Sequence, residues 1–148
     1  MGIDLEMMNA AFRDFVPHNK LLGLTLVEVT QKPASATLLL PWDDRLIGDP
    51  RTGSFHGGAI TTLLDAACGA AVYVHLMSGT PIATLELRVD FLMRTPSRRE
   101  VRARAECLRA TADVAFVTAR AWADDPSQPF ALASATFALA TPGKAVVP

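Results

Sequence analysis

The stretch His56-Gly57-Gly58-Ala59-Ile60-Thr61-Thr62-Leu63-Leu64-Asp65 brings together three features able to do chemistry. Two glycines stand where loop gives way to a long apolar run, so a ligand can approach the backbone closely. The first N–H groups of a helix beginning there lack internal partners and lie at the positive end of its dipole. They suit a carbonyl oxygen that is turning into an oxyanion. Asp65 follows two turns later, between Leu64 and Ala66. An ionisable group in such apolar surroundings costs free energy unless it is paired or used. Each feature alone is weaker evidence. A His-Gly-Gly turn by itself seldom marks a site, and Asp65 is equally explained as a carboxylate satisfied by a nearby backbone group or hydroxyl.

The elements that must hold these residues follow from hydrophobic period and turn chemistry. Leu5, Met8, Ala11, Phe12 and Phe15 recur at helical spacing, predicting a short amphipathic helix from Asp4 to about Phe15, stopped by Pro17. Leu24–Thr30 and Ala34–Pro41 are β-rich runs around Gln31-Lys32-Pro33, which predicts a hairpin. Trp42–Phe55, rich in Asp, Gly and Pro, reads as a loop with little regular structure. Gly57–Met77 reads as one long helix, apolar on nearly every side and so buried all round, with Gly79 as its C-cap and Pro81 beyond.

The period then changes to two. Ala83, Leu85, Leu87, Val89, Phe91 and Met93 alternate with polar residues, as do Val101, Ala103, Ala105 and Cys107. Ala112–Ala123 and Phe130–Ala140 supply two more strands. Four consecutive strands without intervening helices require a mostly antiparallel sheet, and a buried helix among them requires that sheet to curve around it. The class is α+β, one domain over 1–148 with its core at about 22–140.

Whole-chain quantities narrow the function. The 148 residues fit one domain, and half are hydrophobic. A formal charge of −1 argues against a nucleic-acid partner, which needs a basic face. Cys68 and Cys107 sit inside apolar patterns, read as reduced and buried, and no zinc spacing is present. The first residues carry no basic or apolar signal segment, and Glu6 stands where a myristoylation motif needs Ser or Thr. Ala59–Met77 approaches the length of a membrane span, but an aspartate near a bilayer centre costs roughly 2.5–3.5 kcal/mol. The expected setting is therefore the cytoplasm, without membrane or nucleic-acid contact.

The joint pattern resembles the PaaI-type branch of the hotdog thioesterases, whose signature is His-Gly-Gly followed by a helix with Asp. The likeness spans about Leu22 to Leu139. It includes the nine-residue step from His56 to Asp65, the leading Leu22-Gly23-Leu24, the run Ala83-Thr84-Leu85-Glu86-Leu87-Arg88-Val89-Asp90-Phe91 and the final Ala135-Thr136-Phe137. The resemblance implies a long central helix wrapped by a five- or six-stranded antiparallel sheet. It further implies an acyl-coenzyme A substrate, no separate cofactor, and pairing into dimers or dimers of dimers with the active site at the subunit interface. By that carry-over Gly57 donates its N–H to the thioester carbonyl, beside Gly58, and Asp65 attacks the carbonyl or activates a water. His56 shapes the loop, and Thr84 positions the water or the carboxylate. Related enzymes often carry Asn or Gln six residues before the His. This chain has Pro50 there, beside Asp49, so either the loop Gly48–Phe55 supplies that function differently or turnover is weak.

Arg94, Arg98 and Arg99 surround Thr95-Pro96-Ser97; they suit coenzyme A phosphates, or equally form a solvated turn. Two rival readings stand beside thioester hydrolysis. A hotdog dehydratase places its His in His-Phe-Pro-Gly with a Glu fourteen residues on; here Gly57-Gly58 follow His56 and the fourteenth residue is Ala70. A non-catalytic acyl-coenzyme A binder is the other.

Overall fold

Asp4 opens the first helix by accepting the Met7 N–H at 3.1 Å, and α1 (Leu5–Asp14) follows. The computed structural model describes residues 2–140; Met1 and residues 141–148 of the expected domain lie outside the described residues. Pro17 does end the first helix, but it also starts a second, α2 (Pro17–Leu22). At the first helical position its fixed φ is an advantage and its missing N–H is no loss.

Strands β1 (Thr25–Gln31) and β2 (Ala34–Leu40) form the expected hairpin. The segment expected to be irregular is not. It holds a short 3-10 turn (Asp44–Leu46) and a small hairpin of β3 (Ile47–Asp49) and β4 (Ser54–Phe55), which leads directly into the long helix α3 (Gly57–Leu76). Strands β5 (Ile82–Phe91), β6 (Val101–Ala110), β7 (Val114–Trp122) and β8 (Ala131–Leu139) follow among the described residues. The main sheet has six strands in the order β1-β2-β6-β7-β8-β5, antiparallel throughout.

Helix α3 packs across that sheet, mainly on β2, β6 and β7. Ile60, Leu63, Leu64, Ala67, Cys68 and Val72 are inaccessible to solvent, as are Leu38, Leu40, Val101, Ala103 and Ala121 opposite. The alanines on the sheet let the helix backbone come close, and each large buried side chain contributes about 1.5–3 kcal/mol by leaving water. Helix α3 is long and apolar enough to cross a membrane, yet 56% of its most apolar window is buried within the fold.

Three expectations need correction here. The helix is not capped at Gly79: Met77 takes the left-handed conformation (φ 51°) and its N–H bonds to the Tyr73 carbonyl at 2.9 Å. Nor is α3 covered all round, because Gly58, Thr61, Thr62, Asp65, Ala66, Gly69 and Tyr73 form an incompletely buried stripe at i, i+3, i+4 spacing. Finally, β5 does not hold all its alternating apolar residues inside. The register shifts between Thr84 and Glu86, and Leu85 is 60% exposed. Phe91 at the strand end and Met93 beyond it are also exposed, and among the described residues β5 is an edge strand with a neighbour, β8, on one side only.

The two sheet edges differ. At β1, the Asn9 side chain of α1 pairs with both backbone groups of Leu26, donating to its carbonyl at 2.6 Å and accepting its N–H at 2.7 Å. Strand β5 has no such cover among the described residues. A bare, partly apolar edge invites another strand.

Candidate active site

The start of α3 is organised by His56. Its N–H bonds to the Leu46 carbonyl at 2.8 Å, which fastens the helix start to the 3-10 turn before β3. Its imidazole Nδ1 accepts the Gly58 N–H at 2.9 Å, and its carbonyl accepts the Ala59 N–H at 3.0 Å. Two of the first helical N–H groups are thereby used. No acceptor for the Gly57 N–H occurs among the described residues.

The two glycines consequently have different reasons to be glycine. A Cβ on Gly58 would stand 2.9 Å from His56 Nδ1 and displace the cap. A Cβ on Gly57 would only touch the Phe91 ring, at 3.5 Å from Cζ, which is ordinary contact. Nothing in the fold forbids a side chain at Gly57, so its bareness is available for a ligand.

Asp65 lies on the open stripe of α3, half-buried, and its Oδ1 accepts a hydrogen bond from Thr84 Oγ1 at 2.8 Å. The helix and the start of β5 thus hold the carboxylate between them. Cys68, one turn further along α3, has no solvent access, and its thiol is pushed up to about 12, first by burial and then by the nearby charge of Asp65. At neutral pH it stays protonated and is no nucleophile.

Gly57 and Asp65 are eight residues apart on one helix, about 12 Å along its axis at 1.5 Å per residue. An oxyanion donor about 2.9 Å from the carbonyl oxygen and a base acting at the carbonyl carbon must lie closer together than that. Within one chain the two groups thus stand at separate levels of the helix, about two turns apart.

The three arginines are brought beside this helix start but differ in what they touch. The segment carrying them is anchored to the β3–β4 hairpin: Thr95 Oγ1 donates to the Phe55 carbonyl at 3.1 Å, Ser97 to the Thr52 carbonyl, and the Arg98 N–H to the Gly53 carbonyl at 3.3 Å. Arg98 lies over the Trp42 ring, 5.8 Å from its centre, and Arg99 pairs with Asp124. Arg94 makes no hydrogen bond or ion pair among the described residues; it is exposed, and its charge helps to lower the Asp49 carboxyl, which Arg51 holds down first. Asp49 also closes the turn around Pro50, accepting the Arg51 N–H at 3.0 Å. Pro50 carries no polar side chain, and the Asp49 carboxylate beside it is engaged by the Arg51 guanidinium at 3.1 Å. Thr52 and Ser54, which hydrogen-bond to each other at 3.0 Å, were not singled out by sequence; no spacing signal distinguishes them from ordinary loop residues.

Comparison with known proteins places the chain's sequence and fold in a family. The model of the thioesterase superfamily matches residues 52–130, from the β3–β4 turn to the start of β8. A Halobacterium salinarum protein named as an esterase is 30% identical over 132 residues, 83% of this chain and 86% of that one. A crystal structure of a Pseudomonas aeruginosa protein, 36% identical, superposes with a TM-score of 0.80 over 90% of this chain and 97% of that one. A variant of the phenylacetic acid degradation protein PaaI of Thermus thermophilus shares the fold, with a TM-score of 0.70 and 23% identity over 83% of this chain and 98% of that one. The chain belongs to the thioesterase superfamily and is a hotdog-fold thioester hydrolase.

Proposed function

We propose that the protein hydrolyses acyl-coenzyme A thioesters at a site shared by two copies of the chain, with Asp65 as the catalytic carboxylate. The observation that carries this reading is that the Gly57 N–H, without an acceptor among the described residues, and the Thr84-held Asp65 stand about two turns apart on one helix, a separation that a second copy would bridge. A second copy docked along the bare β5 edge would continue the sheet. It would lay its own helix start against this Asp65, and the two-fold relation would make two equivalent sites.

In such a site the Gly57 N–H of one chain donates to the thioester carbonyl. Asp65 of the other either attacks the carbonyl carbon or takes a proton from a water that attacks it. Oxygen adds to the carbon, negative charge moves to the carbonyl oxygen, and its return expels the thiolate, which is protonated. When water adds, the products are directly a carboxylic acid and free coenzyme A; when Asp65 adds, loss of the thiolate leaves an acyl–Asp65 anhydride, which a water then cleaves to the acid and free Asp65. Thr84 orients the Asp65 oxygen. His56 and Gly58 act through the backbone, by consuming the neighbouring N–H and fixing the direction of the remaining one. Arg94 is the arginine with a guanidinium available for a phosphate of coenzyme A; Arg98 and Arg99 have intramolecular partners. The chemistry calls for water alone, with no metal or added cofactor, and suits a cytoplasmic setting.

The Asp49-Pro50 turn favours one other reading, an acyl-coenzyme A binder without turnover, because the usual amide is replaced there. A thiol-release assay with a panel of acyl- and aryl-coenzyme A esters separates the two. Saturable release, lost in Asp65→Asn, supports hydrolysis. Tight binding of the esters by a folded oligomer that releases no thiol supports the binder.

A further inference from the structure

We infer that Phe91 is a specificity-determining residue, whose ring closes the acyl pocket at the carbon next to the thioester and selects unbranched over 2-branched acyl groups. This deepens the hydrolase reading of the site and rests on it. Phe91 ends β5, yet its ring reaches the start of α3: Cζ and Cε2 lie 3.5 and 3.9 Å from where a Cβ of Gly57 would stand. Phe91 is 46% exposed in the single chain, so its own fold covers it only in part, and the covered part includes the contact with Gly57.

A carbonyl oxygen accepting from the Gly57 N–H puts the carbonyl carbon and its two substituents within a few ångströms of that ring. One substituent is sulfur, followed by the amide-bearing arm of coenzyme A, which needs polar partners. The other is the first carbon of the acyl group. Phe91 is followed by exposed Leu92 and Met93, which offer no side-chain hydrogen bonds, so the apolar acyl carbon belongs on this side. A ring at van der Waals distance from the glycine leaves a slot for a CH2 group but crowds an added methyl.

The test is kcat/KM for matched pairs of coenzyme A esters, butanoyl against 2-methylpropanoyl and hexanoyl against 2-methylhexanoyl. The parent should prefer the straight chain by about tenfold or more, the scale on which a pocket discriminates one carbon. Phe91→Ala should bring that ratio close to one, mainly by raising activity on the branched esters, and Phe91→Leu should fall between. Melting curves serve as the check on folding, and the ratio within each matched pair is the readout. A parent without preference, or a ratio unmoved in both variants, overturns the inference while leaving hydrolysis intact. A parent that hydrolyses no ester removes the hydrolase reading first, and this inference with it.

Discussion

Thr84 Oγ1 donates to Asp65 Oδ1 at 2.8 Å, tying the one carboxylate of α3 to the edge strand that follows it. The bond occupies one oxygen and leaves the other directed by the same contact. A hydroxyl in this position restricts the rotation of the carboxylate, which serves a base or nucleophile.

Removing that hydroxyl while keeping shape is the direct test of its role. Thr84→Val should lower kcat by roughly tenfold to a hundredfold, the range for losing a hydrogen bond to a charged group of about 1.5–3 kcal/mol. Thr84→Ser should retain most of the activity. Because Thr84 is exposed, thermal melting should move little in either variant. Unchanged kcat in Thr84→Val would make the contact incidental.

The cap formed by His56 predicts a separation of variants by chemistry. His56→Ala should destabilise the fold by about 1 kcal/mol, as loss of an N-cap acceptor typically does, and depress activity by loosening the Gly57 peptide. His56→Asn restores an oxygen acceptor at the same helical position and should recover stability. Gly58→Ala should resemble His56→Ala, since its methyl would displace the imidazole. Urea midpoints and steady-state kinetics together check this order.

Gly57 occupies the first position of α3, where proline is tolerated, and His56 before it already has an extended backbone (φ −61°, ψ 134°). Gly57→Pro therefore removes one N–H with little effect on the helix. We predict a fall in kcat of about 10²–10³ with the melting temperature nearly unchanged, the usual consequence of losing an oxyanion donor. Gly57→Ala adds bulk but keeps the N–H and should lose much less. Equal losses in both would assign the effect to crowding.

Cys68 predicts a pH dependence of stability. Its folded-state value, raised from 9.0 to about 12, means that the folded chain holds this proton more tightly than the unfolded one. The resulting stability is fully present below about pH 9 and is lost as pH rises toward 12. Cys68→Ala should therefore show a flatter decline in urea midpoint over that range than the parent. A parallel decline would contradict it.

Much of the architecture was legible because several signals agreed. Pro17, the period-3.6 run after Gly57 and the period-2 runs from Ala83 onward each marked an element that exists. What escaped depends on distant partners. Helix α2 is too short to show a period, and the β3–β4 hairpin owes its pairing to the Thr95–Arg99 segment laid against it. The alternation in β5 breaks at the register shift between Thr84 and Glu86, and Leu85 there and Met93 beyond the strand end stay exposed, so apolar spacing looked like core. At the site, His56, Gly57 and Asp65 were readable from type and spacing, whereas Trp42 for Arg98 and Asp124 for Arg99 are partners chosen by the tertiary fold.

The claim that one site draws on two chains is tested most directly by mixing two inactive variants. Gly57→Pro and Asp65→Asn proteins, unfolded together in equal amounts and refolded, would form half mixed dimers, each with one intact site and one doubly defective site. Thiol release should then return to about a quarter of the parent rate, as two-fold symmetry requires. Release no greater than the sum of the two variants refolded separately, from a confirmed mixed dimer, would contradict a shared site.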